Sequence, residues 1–447
     1  MELADAARGA FDWIGSVAVE VDGGLGWLEG GVLADDLYSG TAGVLLGCAE
    51  AAAAGLGTGL GTAEAETAGP GTAQVSAGAR ARLLQLAAHG AGVATLPDDG
   101  LFSGWAGVAV ALRAWSRAAG DAAAAAAAGQ VTAQIAGRIL QAPAGPPEYT
   151  DVICGDAGIL LALIADDSGA AVRAAHVLAG RLADAAEPGP GGLHWRMAVG
   201  REYLMPGFSH GTAGVAYALA AAGRALDRGD LVDVATRGAC ALLAIGHQPG
   251  GWAVPLAIPP RPGGAAVAYG WCHGPAGTVR LFLLLNEIDP QPRWQHAVDA
   301  CLQALRDSRL PLRLYPGYWD NLARCCGTAG VGQLLLDRYQ ATGDTALLDW
   351  AGALAADVAD RAVSTPHGVT WSNTEHTRTP PELPPGPGFM QGAAGIAGWL
   401  ARLHALHALR AQPGIPARPG IPPQPGIPPG PARHGSDDRH RGRHGGQ

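Results

Sequence analysis

Three cysteines of this chain have the neighbours and spacing of metal ligands. Cys272 stands in YGWCHG (269–274), and Cys325 and Cys326 are adjacent in RCCG (324–327). Thiolate sulfur suits the borderline-soft Zn2+ ion, and a catalytic zinc keeps three protein ligands and one open position. Consecutive cysteines do not readily close a disulfide on each other. Both can still face one ion at a tight turn before a helix, where the helix dipole favours thiolate. The competing reading makes Cys325 and Cys326 packing residues, but Arg324, Asn321 and Gly327 around them are a poor apolar setting. His210 and His273 each directly precede a glycine. Imidazole titrates near neutral pH, so either can shuttle a proton; the plainer alternative is a surface histidine. Asp151, in YTDVICG (149–155), either orients a histidine or caps a turn by accepting backbone N–H groups. Cys154 shares the phase of these residues as a spare thiol, and Asp156 reads as a charge at a helix N-terminus.

These residues belong to a repeat. A Gly-x-x-Gly frame with Ala before its second glycine occurs seven times, at Gly40, Gly104, Gly155, Gly211, Gly274, Gly327 and Gly392, at intervals of 51 to 65 residues. Each opens an apolar run suited to a helix packed on most sides, and in several repeats a second, more amphipathic run follows. Short glycine-containing extended pieces at 191–197, 250–256 and 367–373 read as small hairpins. The expectation is an all-α, seven-fold α/α toroid, a closed ring of helical hairpins. An open solenoid would have more uniform repeats and atypical ends. In a closed ring the residues just before the frames, Ser39, Ser103, Cys154, His210, His273, Cys326 and Gln391, collect at one mouth.

The bulk composition agrees with an ordered ring. The 447 residues include 68 Gly and 33 Pro, are 48% hydrophobic and only 15% charged, and carry a formal net charge of -9. The glycines keep no collagen period, the low charge excludes a highly charged disordered chain, and the acidic balance argues against nucleic acid. No apolar stretch is long enough for a membrane span. Met1–Phe11 has no basic region ahead of an apolar one, so a cytoplasmic location is expected. The toroid is expected to occupy 1–411, with a low-complexity surface loop over about 55–78. The Pro/Gly-rich, His/Arg-ended tail, 412–447, is expected to be disordered.

The frames and the phrases DVICGDAGIL (151–160), FSHGTAGV (208–215), YGWCHGPAG (269–277) and RCCGTAGVG (324–332) resemble the lanthionine synthetase C-like family over roughly 30–405. The resemblance implies a zinc-dependent cyclase that adds a peptide cysteine thiol to dehydroalanine or dehydrobutyrine, forming (methyl)lanthionine rings. By motif, Cys272 and Cys325 match zinc ligands, and Cys326 stands where many members have histidine. His210 matches the acid/base histidine and Asp151 its acidic partner. It further implies a dehydrated precursor peptide (leader plus core) as substrate, a separate dehydratase, and an exporter in a membrane-associated complex to which the enzyme would be peripheral. Two departures stand out: a third sulfur, expected to favour a more nucleophilic substrate thiolate, and no arginine before Trp271 nearer than Arg261. Two other readings are a glutathione-adding relative and a non-enzymatic, zinc-stabilised peptide-binding toroid.

Overall fold

A computed structural model describes residues 1–21, 23–56, 70–90, 96–198, 200–248, 251–260, 267–315, 318–374 and 382–411. Arg261, the centre of the 55–78 stretch and the tail from 412 lie outside the described residues. From Pro70 onward the expected loop is helix instead: Val75 and Ala79 point into the core, and apolar burial outweighs the weak propensity of this Gly- and Ser-containing stretch.

Seven inner helices begin directly after the first frame glycines: α2 (Thr41–Ala53), α4 (Trp105–Ala119), α6 (Asp156–Leu163), α8 (Thr212–Ala225), α10 (Pro275–Ile288), α12 (Thr328–Thr342) and α14 (Ala393–Arg410). Each packs on an outer helix. Six of these follow in sequence: α3 (Pro70–His89), α5 (Ala122–Gln141), α7 (Gly169–Asp184), α9 (Gly229–Ile245), α11 (Pro292–Asp307) and α13 (Thr345–Asp360). The seventh partner comes from the other end of the chain. Helix α1 (Leu3–Ser16) lies along α14 and buries Phe11, Trp13 and Ile14, so the first and last helices make the final hairpin. Helix α14 also packs on α2, which closes the ring.

The turns that precede the inner helices are joined by a continuous belt of backbone hydrogen bonds. The N–H of Tyr38 donates to Phe102 O (3.0 Å), Phe102 to Ile153 O (2.9 Å), Val152 to Ser209 O (3.1 Å) and Ser209 to Cys272 O (2.8 Å). Cys272 donates to Cys325 O (3.1 Å), Cys325 to Met390 O (2.9 Å), and Met390 back to Tyr38 O (2.9 Å). Turns drawn this close leave no room for a side chain beneath them. A Cβ on Gly277 would lie 1.9 Å from Trp271 O and 2.7 Å from Phe208 Cβ; on Gly214, 1.9 Å from Phe208 O and 2.6 Å from Val152 Cγ2. The second frame glycine is therefore a matter of space.

Aromatic side chains from different repeats meet across the ring. Phe102 of the second repeat meets Trp271 of the fifth at 5.4 Å between ring centroids, and Phe208 packs on Trp271 at 5.5 Å. Antiparallel hairpins fill the connections: β1–β3 (Val19–Val21, Gly24–Glu29, Val32–Ala34), β4–β5 (Glu187–Gly189, Gly192–His194), β6–β7 (His247–Gln248, Gly251–Trp252), β8–β9 (Val363–Thr365, Gly368–Thr370) and β10–β11 (Asn373–Thr374, Glu382–Leu383). The expected hairpins are among them. Among the described residues no helix is long and apolar enough to cross a membrane.

Space, rather than helix propensity, should govern glycine substitutions. Gly277→Ala is expected to destabilise the protein by about 2 kcal/mol or more through overpacking. Gly137→Ala, on α5 with nothing within 4 Å of its Cβ position, should stabilise by about 0.5–1 kcal/mol. Thermal and urea unfolding of the two variants measure the difference; similar values would contradict the packing account.

Candidate metal centre

The belt brings Cys272 and Cys325 onto neighbouring turns, and Cys326 follows at the next residue. The sulfurs of Cys272, Cys325 and Cys326 all lie within 4.8 Å of one another, with Cys326 Sγ 3.4 Å from each of the other two. Three sulfurs about 2.3 Å from a tetrahedral ion would be about 3.8 Å apart, so the trio has the size a single metal requires. Cys272 and Cys325 are buried, whereas Cys326 opens to the mouth. Hydrogen bonds from the Cys272 and Cys325 thiols hold Cys326 well below the usual thiol range. The bonds Cys325 makes to Cys272 and Cys326, with burial, push it well up. At Cys272 the bond with Cys325 pulls down, but the bond to Cys326 and burial outweigh it, and its thiol is raised. Without metal, then, the hydrogen bonds within the trio favour the thiolate form at Cys326 over Cys272 and Cys325.

The centre has polar neighbours from three repeats. Gln391 Nε2 donates to Cys326 Sγ (3.5 Å) and to Tyr38 Oη (3.2 Å), while Asn321 Nδ2 donates to Gln391 Oε1 (3.0 Å). Burial foremost, then the Cys325 and Cys326 sulfurs, raises the Tyr38 phenol and keeps it protonated. Sequence reading assigned Tyr38 and Gln391 no role. Their phase was the available signal: they stand two and one residues before a frame, as Cys325 and Cys326 do.

Beside the sulfurs lies a histidine–carboxylate pair. Asp151 is fully buried, and its Oδ2 is 2.5 Å from His210 Nδ1. Its Oδ1 accepts the N–H groups of Cys154 (3.0 Å) and Gly155 (2.8 Å). Asp151 thus contacts a histidine through one oxygen and caps a turn with the other. Because carboxylate accepts, Nδ1 of His210 carries the hydrogen and Nε2 is left for chemistry. The His273 ring lies 5.9 Å from that of His210 between centroids, and it is close enough to Cys326 to help lower its thiol. Cys154 does not join the sulfur trio; its Sγ sits 3.5 Å from Asp151 Oδ1. Asp156 opens α6 and pairs with Arg181 at 3.2 Å, and burial pushes its carboxyl up to about 6.

A sequence model of the "lanthionine synthetase C-like protein" matches residues 31–412. The chain belongs to the lanthionine synthetase C-like family. Among solved structures, nisin cyclase is similar with a TM-score of 0.60 at 15% identity, covering 83% of this chain and 88% of that one. The Lin0763 protein of Listeria innocua (TM-score 0.48, 12% identity, 69% of this chain and 86% of that one) and an alpha-1,6-mannanase of Salegentibacter sp. (0.46, 11%, 73% and 98%) are more distant. No curated protein sequence matches. The likeness to nisin cyclase is one of fold. Helix α1 lies outside the span matched by the family model, although in this family member it completes the seventh hairpin.

The thiol electrostatics set a labelling order and a pH dependence. In metal-free protein at pH 7, limiting iodoacetamide should modify Cys326 before Cys272, Cys325, Cys48 or Cys301, as peptide mapping would read out. Because metal must displace protons from the two raised thiols, affinity for a thiophilic dication should rise with pH, by more than about tenfold per unit below their pKa values. Chelator competition with Zn2+ at pH 6.5 and 7.5 measures this; equal affinities would contradict it.

Proposed function

We propose that this protein is a zinc-dependent lanthipeptide cyclase that closes thioether rings on a dehydrated precursor peptide. The observation that carries the reading is the convergence, at the mouth of one ring, of three thiols of metal-site size with the His210–Asp151 pair. Cys272, Cys325 and Cys326 would hold the ion. Zinc held there would supply Lewis-acid chemistry, favouring the thiolate over the thiol form of a substrate cysteine near neutral pH.

The chain's own residues account for the proton chemistry. As the peptide sulfur adds to Cβ of a dehydroalanine or dehydrobutyrine, a C–S bond forms. The alkene pair moves toward Cα and its carbonyl as an enolate, and Cα must gain a proton. His210 would carry it: Asp151 accepts from Nδ1, which favours the tautomer with Nε2 free to transfer the proton and would steady the imidazolium form. The proton lost by the thiol is regained at Cα, so product and substrate are isomers. Asp151 is itself held by the two backbone N–H groups it caps, which keeps the imidazole oriented between turnovers. Serine and threonine dehydration would fall to a separate dehydratase, and the finished peptide to an exporter.

Incubation with a dehydrated, cysteine-containing peptide should abolish alkylatable peptide thiol at unchanged mass. Cys272→Ala should leave the thiol intact. His210→Asn should lower kcat by about 10²-fold or more while zinc content is unchanged. A peptide mass raised by a glutathione adduct, or unaltered thiol with fully metallated wild type, would sink the cyclase reading. Stalling in His273→Asn but not His210→Asn would move the proton role to His273. Replacing Cys326 by His at matched zinc occupancy should slow cyclisation by giving a less electron-rich centre, and equal rates and product patterns would rule out a special effect of the third sulfur.

A further inference from the structure

Gln391 immediately precedes the last frame and takes no part in the chemistry above. Its amide is oriented from both ends. Asn321 Nδ2 donates to Oε1 at 3.0 Å, so the other end is the nitrogen, and Nε2 faces Cys326 Sγ at 3.5 Å and Tyr38 Oη at 3.2 Å. Asn321 is anchored in turn, with its Oδ1 accepting the N–H of Ala323 at 2.8 Å on the turn that carries the cysteines. One amide thus links the sixth repeat, which supplies Asn321 and Cys326, to the seventh and to Tyr38 of the first.

The reason such a donor matters is charge. Three thiolates on one dication leave a net charge of about -1, where two thiolates and an imidazole would leave none. An N–H aimed at a coordinating sulfur offsets part of that excess and orients the ligand. We propose that Gln391 is a positioning residue for the metal centre: by donating to the Cys326 thiolate it sets the affinity for zinc and the electron density of that sulfur. The inference rests on reading the three cysteines as a metal centre, but not on the reaction catalysed there.

Metal binding by the full-length protein provides the test. Gln391→Leu should weaken zinc affinity about tenfold and move the thiolate-to-metal charge-transfer band of the Co2+-substituted protein to lower energy. Gln391→Glu, of the same shape but without the donor, should weaken it at least as much, which guards against a folding defect in the leucine variant. In a Cys326→His background the Gln391→Leu change should alter affinity less than about twofold, because the sulfur acceptor is gone. Equal losses in both backgrounds would reveal a merely structural role and overturn the proposal. So would unchanged affinity and an unmoved band in Gln391→Leu. Wild-type protein that binds neither Zn2+ nor Co2+ would overturn the metal-centre reading and this inference together.

Discussion

Seven peptide hydrogen bonds run head to tail around the mouth of the ring, and the last returns to the turn from which the first departs. Buried backbone N–H and C=O groups must find partners, and here each turn satisfies the next. A single bond of this kind is worth only about 1 kcal/mol net. Its larger effect is geometric: a turn cannot slide along its neighbour without breaking the belt. The side chains one and two positions before each frame therefore hold fixed relations across repeats. The sulfurs of Cys272, Cys325 and Cys326 meet because of that relation, although 53 residues separate the first two.

The belt also explains how ordinary structural features became chemical ones. Asp36 accepts the N–H of Ser39 in the first repeat, as Asp151 accepts that of Cys154 in the third. Only in the third does the cap's second oxygen find a histidine on the adjoining turn. Arg324 is a similar case. It is buried just ahead of the cysteine pair, donates to Gly395 O at 2.7 Å, forms an ion pair with Glu50 and lies 4.5 Å over Phe389. It thereby ties the sixth repeat to the seventh and the first. Removing one partner of such a buried pair typically costs about 3–5 kcal/mol, because the other charge stays buried.

Much of this was legible in the residues. Each inner helix has the first glycine of its frame as N-cap, so the repeat, its number and the start of every inner helix followed from a four-residue pattern. The outer helices were visible where amphipathy was clear, as in α9, α11 and α13. The helix from Pro70 was not, because small residues give a weak periodic signal and its burial depends on β2 and α1 lying against it. Helix α1 carried no frame. Its role as partner of α14 depends on the two chain ends meeting, which no local pattern records.

What the sequence by itself determined was chemical type and phase: which residues are thiol, imidazole or carboxylate, and that they recur at one position relative to a helix start. Both are local properties, set by side-chain identity and by the backbone needs of a helix N-terminus. Partnership was decided only by the tertiary structure. The belt makes Cys272 and Cys325 neighbours, gives His210 to Asp151 and keeps Cys154 out of the sulfur trio, and ring closure brings Tyr38 to Gln391 beside Cys326. Those pairings depend on how far each turn rotates around the ring. That rotation is set by contacts between repeats, among them the backbone belt, the close packing under Gly214 and Gly277 and the Phe102–Trp271–Phe208 cluster, and no single repeat contains them.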